Sequence, residues 1–301
     1  MQLIILGTGN ASVTECYNTC FVLRDASQPA GEQCFLVDGG GGNGLLTQLK
    51  RADIDWREIR SIFLSHRHMD HIVGILWIMR NILSGMKHGE YEGEAAIYGH
   101  AQVIHILRES AALLLSQQEC DFIDDRLHLV TVEDGDAYEI LGRRVEFFDI
   151  HSAKTLQFGF EMERKAADAA EGSSSGETAA DTAETSAGCH DDSAAERTLV
   201  FYGDEPARES TFSRAEHADW VLHEAFCLYE DVDRFRPYEK NHSTVKDVCL
   251  NMERLHVPNL VLYHTEDTDL AHRRERYAAE GRRYYAGNLL VPEDLETIEL
   301  I

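Results

Sequence analysis

The residues with the clearest chemistry lie in one short stretch, Ser65-His66-Arg67-His68-Met69-Asp70-His71, which holds three imidazoles and a carboxylate. It follows an apolar run, Ser61-Ile62-Phe63-Leu64, that predicts a buried strand. Burying such polar groups without partners would cost roughly 2–7 kcal/mol each. A metal ion removes that cost, because imidazole nitrogens and carboxylate oxygens are usual metal ligands in proteins. The stretch therefore predicts a metal site at a strand end.

The spacing within this stretch favours two adjacent metals over one. At strand spacing His66 and His68 lie on the same side, whereas Asp70 and His71 lie where the chain turns into a helix. The two pairs therefore face different ligand positions.

Three further candidates follow predicted strands elsewhere in the chain: His151, Asp204 and His264. A carboxylate has two oxygens, so Asp204 is suited to bridge two metals. The remaining ligands would then divide into His66, His68 and His151 for one metal, and Asp70, His71 and His264 for the other. Water or hydroxide shared by two such metals is a nucleophile at neutral pH.

The rest of the chain must form the strands and helices that position these side chains. Strands are predicted over residues 3–6, 19–24, 33–37, 59–64, 95–98, 127–132, 138–140, 145–150, 157–163, 199–204, 220–224 and 260–264, with two short ones near the end. Helices are predicted over residues 44–51, 71–83, 101–116 and 270–282, with one more after Thr244. This alternation in two halves predicts two sheets covered by helices, with polar side chains gathered at the strand ends.

Composition narrows the class of protein. The 301 residues carry a net charge of −25, which argues against nonspecific binding to nucleic acid or to an anionic membrane. No apolar run approaches the roughly eighteen residues of a membrane span, and the first residues predict a strand rather than a signal peptide. Seven scattered cysteines without a CxxC pair favour reduced thiols, and so a cytoplasmic location.

One segment departs from the rest in composition. From about residue 165 to 196 the chain lacks bulky apolar residues and is rich in carboxylates, which predicts a disordered acidic insertion. Because strand-like sequence flanks it on both sides, we expect it to be a long loop within a single domain that spans residues 1–301.

The motif His66-x-His68-x-Asp70-His71-x-x-Gly74, followed by His151, Gly203-Asp204 and His264, resembles the metallo-β-lactamase superfamily over nearly the whole chain. The resemblance implies an α/β fold, the four-layer αββα sandwich. Within the superfamily, the ribonuclease Z family (tRNA 3′-processing endonucleases) is the most similar. Further motifs that carry this likeness are Leu6-Gly7-Thr8-Gly9, Val37-Asp38-x-Gly40, His223-Glu224-Ala225-Phe226 and His242-Ser243-Thr244.

This resemblance implies catalytic roles for three residues. Asp70 would orient the attacking water as well as ligate metal. His242, held by Glu224, would protonate the leaving oxygen of a phosphodiester. The cofactors would be two divalent metal ions, zinc first, with manganese or iron as alternatives. Asp38 is a candidate hydrogen-bond partner for a liganding histidine.

The tRNA-binding parts of ribonuclease Z are not preserved. Its basic N-terminal loop corresponds here to Val13, Glu15, Tyr17 and Asn18, so both basic groups are lost. Its basic arm corresponds to the acidic insertion. We therefore expect a small or short phosphodiester, cyclic or linear, rather than tRNA as the substrate. A homodimer is expected by analogy.

One other function stays open, and two more are disfavoured by the sequence. The same centre could hydrolyse a neutral ester, thioester or lactam, which would suit an acidic surface. An oxygen-reducing diiron protein would need a glutamate in place of His68 and a flavin domain. A binding module without metals would be expected to have lost ligands, and none is missing.

Overall fold

The computed structural model describes residues 1–163 and 198–300, so the predicted acidic insertion at about 165–196 lies outside the described residues. Fourteen described strands form two seven-stranded sheets. The first sheet has the order β14-β1-β2-β3-β4-β5-β6: Thr297–Glu299, Gln2–Gly7, Cys20–Arg24, Cys34–Val37, Ile59–Phe63, Ala95–Gly99 and Leu127–Thr131. The second has the order β13-β12-β11-β10-β9-β8-β7: Asn288–Leu290, Asn259–Tyr263, Trp220–Glu224, Thr198–Phe201, Phe158–Glu163, Arg143–Asp149 and Ala137–Ile140.

Helices lie on the outer faces of the two sheets. The longer ones are α1 (Gly44–Arg51), α2 (Met69–His88), α3 (Ala101–Leu114), α7 (Val245–Arg254) and α8 (Leu270–Gly281). Three helices of a single turn, α4 (Gln117–Cys120), α5 (Phe212–Ala215) and α6 (Val232–Phe235), were not predicted from the sequence. No helix in the described ranges is long and apolar enough to cross a membrane.

The strands alternate their buried side chains between two different cores. In β1, Leu3 and Ile5 pack between the two sheets, whereas Ile4 and Leu6 pack against helices of the first sheet. The second sheet has the same alternation, with a third core beneath α7 and α8. Since successive strand residues point to opposite faces, both faces of each sheet are covered. The predicted αββα sandwich is confirmed.

The glycine that ends the histidine motif explains how α2 docks. A Cβ atom on Gly74 would lie 1.7 Å from the carbonyl oxygen of Gly39, so no larger residue fits without moving the backbone. The Gly74 amide donates to the carbonyl of Gly40 at 2.9 Å. The first turns of α2 thus lie directly against the turn after β3, and this contact places the motif beside the edge of the sheet.

Parallel strands set the position of the site. In the first sheet β3, β4, β5 and β6 run parallel, and in the second β10, β11, β12 and β13 do. Ligand sites in open α/β sheets form at the carboxyl ends of such strands. The histidine motif follows β4, Asp204 follows β10 and His264 follows β12, so these parallel strands bring them to one region.

Two further features differ from the sequence prediction. Helix α2 continues to His88, five residues beyond the predicted end, because Met86 extends its buried face and Gly89 ends it in a left-handed conformation. The last strand, β14, returns to pair with β1 in the first sheet. That pairing joins residues almost 300 positions apart, and local sequence patterns carry no signal for it.

Candidate metal centre

The predicted ligands come together as two groups that have Asp204 in common. The first group is Asp70, His71, Asp204 and His264, and the second is His66, His68 and Asp204. Within each group the possible ligand atoms lie within 4.8 Å of one another. Apart from partly buried His68, every member is buried.

Asp204 lies between the groups, with one oxygen directed at both. Its Oδ2 lies 3.4 Å from Nε2 of His66, 3.5 Å from Nε2 of His71 and 3.6 Å from Nε2 of His264. Burial alone would raise the pKa of Asp204, but the surrounding imidazoles hold it well below its usual value. The carboxylate is therefore ionised, as a bridging ligand must be.

Several nitrogen and oxygen atoms of the two groups are placed as metal ligands would be. Among the described residues, Oδ2 of Asp70 and Nε2 of His71 are buried without a hydrogen-bond partner, and they lie 3.3 Å apart. Nε2 of His66 and Nδ1 of His68 face each other at 2.8 Å. Divalent cations take such nitrogen and oxygen donors, and zinc, manganese and iron are all compatible with them. The residues present therefore fit the implied metals.

Hydrogen bonds fix the ring tautomers of two candidate ligands, His71 and His264. Nδ1 of His71 donates to Oδ2 of Asp38 at 2.7 Å, which leaves Nε2 free to bind a metal. The hydroxyl of Thr19 donates to the carbonyl of Gly9, so at 3.1 Å it accepts from Nδ1 of His264. Such partners orient liganding histidines and raise their basicity. The structure thus places Asp38 in the supporting position expected from the sequence.

The structure does not bring His151 into either group. It follows β8 in a left-handed conformation (φ 57°), and its side chain is 52% exposed. Its amide donates to Oδ1 of Asp149 at 2.7 Å, and its Nδ1 lies 3.7 Å from Oδ2 of the same carboxylate. Neither group of ligand atoms includes an atom of His151. Ligation by His151 therefore stays a prediction.

Gln157 occupies the space beside His66 instead. The side chain is buried, and its amide donates to Oδ1 of Asp204 at 2.5 Å and lies 2.8 Å from Nδ1 of His66. It thereby links one member of the second group to the shared carboxylate. The sequence reasoning missed this residue, because a neutral amide at the start of a strand carries no metal-binding signature.

A second pair of polar side chains lies beside the ligand groups. Oε1 of Glu224 accepts from the amide of Ser243 at 2.6 Å, and Oε2 lies 3.7 Å from Nδ1 of His242. Neither Oε2 nor Nδ1 has a hydrogen-bond partner among the described residues. Burial raises the pKa of Glu224 well above its usual value and lowers that of His242 to about 3. One proton placed between these two facing atoms would satisfy both.

The neighbouring motif residues hold this pair in place. The ring of His242 stacks on Phe226, with centroids 4.9 Å apart and an interplanar angle of 7°. Thr244 caps α7 through a reciprocal pair of hydrogen bonds with Asp247. His223 is buried, and its ring bonds to the amide of Ala207 and the carbonyl of Glu224. His223 therefore supports the backbone, and His242 is the motif residue that reaches the site.

Members of both ligand groups (His68, Asp70, Asp204 and His264) line one cavity of about 560 Å³ together with His242. Aromatic and cationic side chains form other parts of its wall: Phe226, Phe235, Lys154 and Lys240. Glu266 and Asp267 also line it. The volume lies within the range of small-molecule sites, about 300–1,000 Å³.

The residues that replace the basic N-terminal loop have structural partners. The hydroxyl of Tyr17 donates to the carbonyls of Gly39 and Gly42 at 3.0 and 2.9 Å. The amides of Thr14 and Glu15 donate to Oδ2 of Asp267. This loop therefore packs the turn after β3 and offers no cation to a phosphate backbone.

Comparisons with known proteins agree with this architecture. A family model described as "Anti-Pycsar protein Apyc1" matches residues 1–280. Ribonuclease Z of Bacillus subtilis (strain 168) is 25% identical over 282 residues, which cover 88% of each chain. Human tRNase Z, short form (ELAC1), matches 100% of both chains with a TM-score of 0.67 and 19% identity. The metallo-β-lactamase fold protein YhfI of Bacillus subtilis has a TM-score of 0.68 at 14% identity, covering 99% of this chain and 98% of YhfI. The resemblance to the superfamily and to ribonuclease Z is confirmed.

Proposed function

The chain belongs to the family of the anti-Pycsar protein Apyc1, and from that premise we propose that it is a binuclear metal-dependent phosphodiesterase. Its substrate would be a small or short phosphodiester, cyclic or linear. The family and the fold indicate a metallo-hydrolase. The observation that carries the finer proposal is that His242 lines the same cavity as Asp204 and members of both ligand groups.

The reaction adds water to a phosphodiester and releases a phosphomonoester and an alcohol. Two divalent ions, zinc first and manganese or iron as alternatives, would lower the pKa of a bound water and neutralise phosphoryl charge. Asp70 lines the cavity, and its carboxylate oxygen that does not hold a metal would orient the attacking water and accept its proton. A new P–O bond forms as the ester P–O bond breaks.

His242 and Glu224 serve the leaving group. Nδ1 of His242 faces Oε2 of Glu224, which leaves Nε2 to donate its proton to the departing oxygen. As that proton leaves, Nδ1 takes a proton from the buried Glu224 carboxyl group. A positioned acid of this kind contributes about 10²–10⁴-fold to the rate.

Size and charge favour a small substrate over tRNA. A cavity of about 560 Å³ accepts a molecule of nucleotide size. The net charge of −25 opposes binding of a long polyanion, and Glu15 and Tyr17 stand where ribonuclease Z has basic groups. The homodimer and the cytoplasmic location remain predictions from the sequence.

A second candidate function is hydrolysis of a neutral ester, thioester or lactam by the same centre. The carboxylates of Glu266 and Asp267 on the cavity wall favour an uncharged substrate. Hydrolysis of such a substrate, however, gives no explanation for the Glu224–His242 pair, which phosphodiester hydrolysis uses to protonate the leaving group.

Turnover of two chromogenic substrates separates these candidates. Protein loaded with Zn, Mn, Fe or Co should hydrolyse bis(p-nitrophenyl) phosphate, and treatment with a chelator followed by dialysis should abolish the activity until metal is restored. For each substrate, kcat/KM is divided by the rate constant of the uncatalysed hydrolysis. The phosphodiesterase proposal predicts that this ratio is higher for bis(p-nitrophenyl) phosphate than for p-nitrophenyl acetate. Hydrolysis of the acetate alone, with each of the four metals, would overturn it in favour of the second candidate.

A further inference from the structure

The cavity contains few positive side chains to meet an anionic substrate. Among the described residues that line it, Lys154 and Lys240 are the cationic ones, whereas the acidic ones are Asp70, Asp204, Glu266 and Asp267. Neither lysine forms an ion pair within residues 1–163 and 198–300. Both ammonium groups are therefore available to a ligand.

Lys154 is held at the cavity by a buried carboxylate. Glu205, which directly follows Asp204, is 2% exposed. Its Oε1 accepts from the hydroxyl of Ser152 at 2.8 Å, and its Oε2 accepts from the amide of Ala153 at 3.0 Å. The Ser152 oxygen in turn accepts from the amide of Lys154 at 3.3 Å. These hydrogen bonds tie the backbone of residues 152–154 to Glu205. Because Glu205 directly follows Asp204, they hold Lys154 beside the candidate metal centre.

The position of Lys154 brings its charge near the reacting groups. Lys154 lines the same cavity as His242 and Asp204. An anion bound in this cavity therefore lies within reach of its ammonium group.

Lys240 approaches the same region from another wall. It ends a short 3₁₀ turn, Pro237–Lys240, and its Nζ lies 4.7 Å from the centroid of the Phe226 ring. The same ring stacks on His242. Lys240 therefore lines the cavity beside the proposed general acid.

We infer that Lys154 and Lys240 bind the anionic oxygens of the substrate, with Glu205 as the positioning residue for Lys154, and that the two lysines give the site its preference for phosphodiesters over neutral esters. The inference rests on the proposed function and deepens it. The two lysines supply positive charge inside the cavity, where the basic loop of ribonuclease Z is not preserved. A small phosphodiester reaches both cations inside the cavity, whereas a long polyanion still meets an acidic surface.

Steady-state kinetics on metal-loaded variants test this inference. Lys154→Ala and Lys240→Ala should each raise KM for bis(p-nitrophenyl) phosphate by about tenfold, the effect of losing one hydrogen bond to a charged group, with kcat changed less than about threefold. KM for p-nitrophenyl acetate should stay within about twofold, since that ester has no charge to bind. The inhibition constant of inorganic phosphate, used as a competitive inhibitor, should rise by a similar factor in both variants. Lys87→Ala, an exposed lysine near the end of α2, is the matched control.

The role of Glu205 is tested by a double-mutant cycle. Glu205→Gln should raise KM for the phosphodiester with kcat nearly unchanged, and it should add little when Lys154 is already alanine. Equal effects of Glu205→Gln in the presence and absence of Lys154 would overturn the positioning role.

Failure of this inference is distinct from failure of the proposed function. Phosphodiester turnover by the wild type with unchanged KM in both lysine variants would overturn the inference alone. Absence of phosphodiester turnover by the wild type would overturn the proposed function, and with it the inference.

Discussion

Replacing His242 with alanine should lower kcat for a dialkyl or nucleoside phosphodiester by about 10²–10⁴-fold. The ring lines the cavity, and its Nδ1 faces Oε2 of Glu224 across 3.7 Å. An alkoxide leaving group is strongly basic and needs a proton as the ester bond breaks, whereas p-nitrophenolate does not. The loss should therefore be at least about tenfold smaller for bis(p-nitrophenyl) phosphate. Steady-state assays of both substrates measure this difference.

Two controls keep the result specific to proton donation. His217→Ala removes an exposed imidazole that stacks on His256 away from the cavity, and it should leave both rates unchanged. Metal content of His242→Ala should equal that of the wild type, because His242 belongs to neither ligand group. An equal loss for both kinds of leaving group would contradict the general-acid role and indicate that His242 only packs the site.

Replacing Asp204 with asparagine should remove both metals and lower turnover by at least about 100-fold. Mutation of a residue that only hydrogen-bonds to a metal ligand costs about 10–100-fold, and loss of a bridging ligand should cost at least as much. Oδ2 of Asp204 lies 3.4–3.6 Å from imidazole nitrogens of both groups. An amide has no charge to hold two cations. Elemental analysis should find about two metals per chain in the wild type and fewer than one in the variant.

Ligands that belong to one group should behave differently. His68→Ala and His264→Ala each disturb a single group and should each retain about one metal. Glu139→Gln changes an exposed carboxylate on β7 and serves as the matched control for loss of charge. Retention of two metals by Asp204→Asn would contradict the bridging role, provided that its thermal unfolding resembles that of the control.

The part of this architecture that the sequence could predict is the part encoded locally. The apolar run from Leu3 to Leu6 predicts a buried strand, and its side chains alternate between two cores. The alternation of such strands with helices predicts two covered sheets, whereas the four-layer αββα arrangement came from the resemblance to the metallo-β-lactamase superfamily. The motif from His66 to His71 is local too, because strand and helix geometry alone divide its four ligands between two positions. Asp204 and His264 follow predictable strands, and the structure brings them to the same edge.

What the sequence could not give depends on contacts between distant segments. The left-handed turn at His151 is not visible in the strand pattern before it, so the direction of that imidazole could not be foreseen. Gln157 and Lys240 reach the site through loop paths that tertiary packing decides. Lys154 lines the cavity from a loop whose backbone is held by the hydrogen bonds of Glu205, and this contact between separate segments has no local sequence signal.

Cleavage of a pre-tRNA, measured beside a panel of small phosphodiesters, tests the central claim most directly. The panel should include a cyclic mononucleotide, a linear dinucleotide and bis(p-nitrophenyl) phosphate, all with the same metal-loaded protein at physiological salt. We expect turnover of small phosphodiesters and poor cleavage of the pre-tRNA, because the cations near the centre lie inside a cavity of about 560 Å³ and the chain carries a net charge of −25. Robust 3′ cleavage of the pre-tRNA, with little turnover of the small esters, would contradict this account.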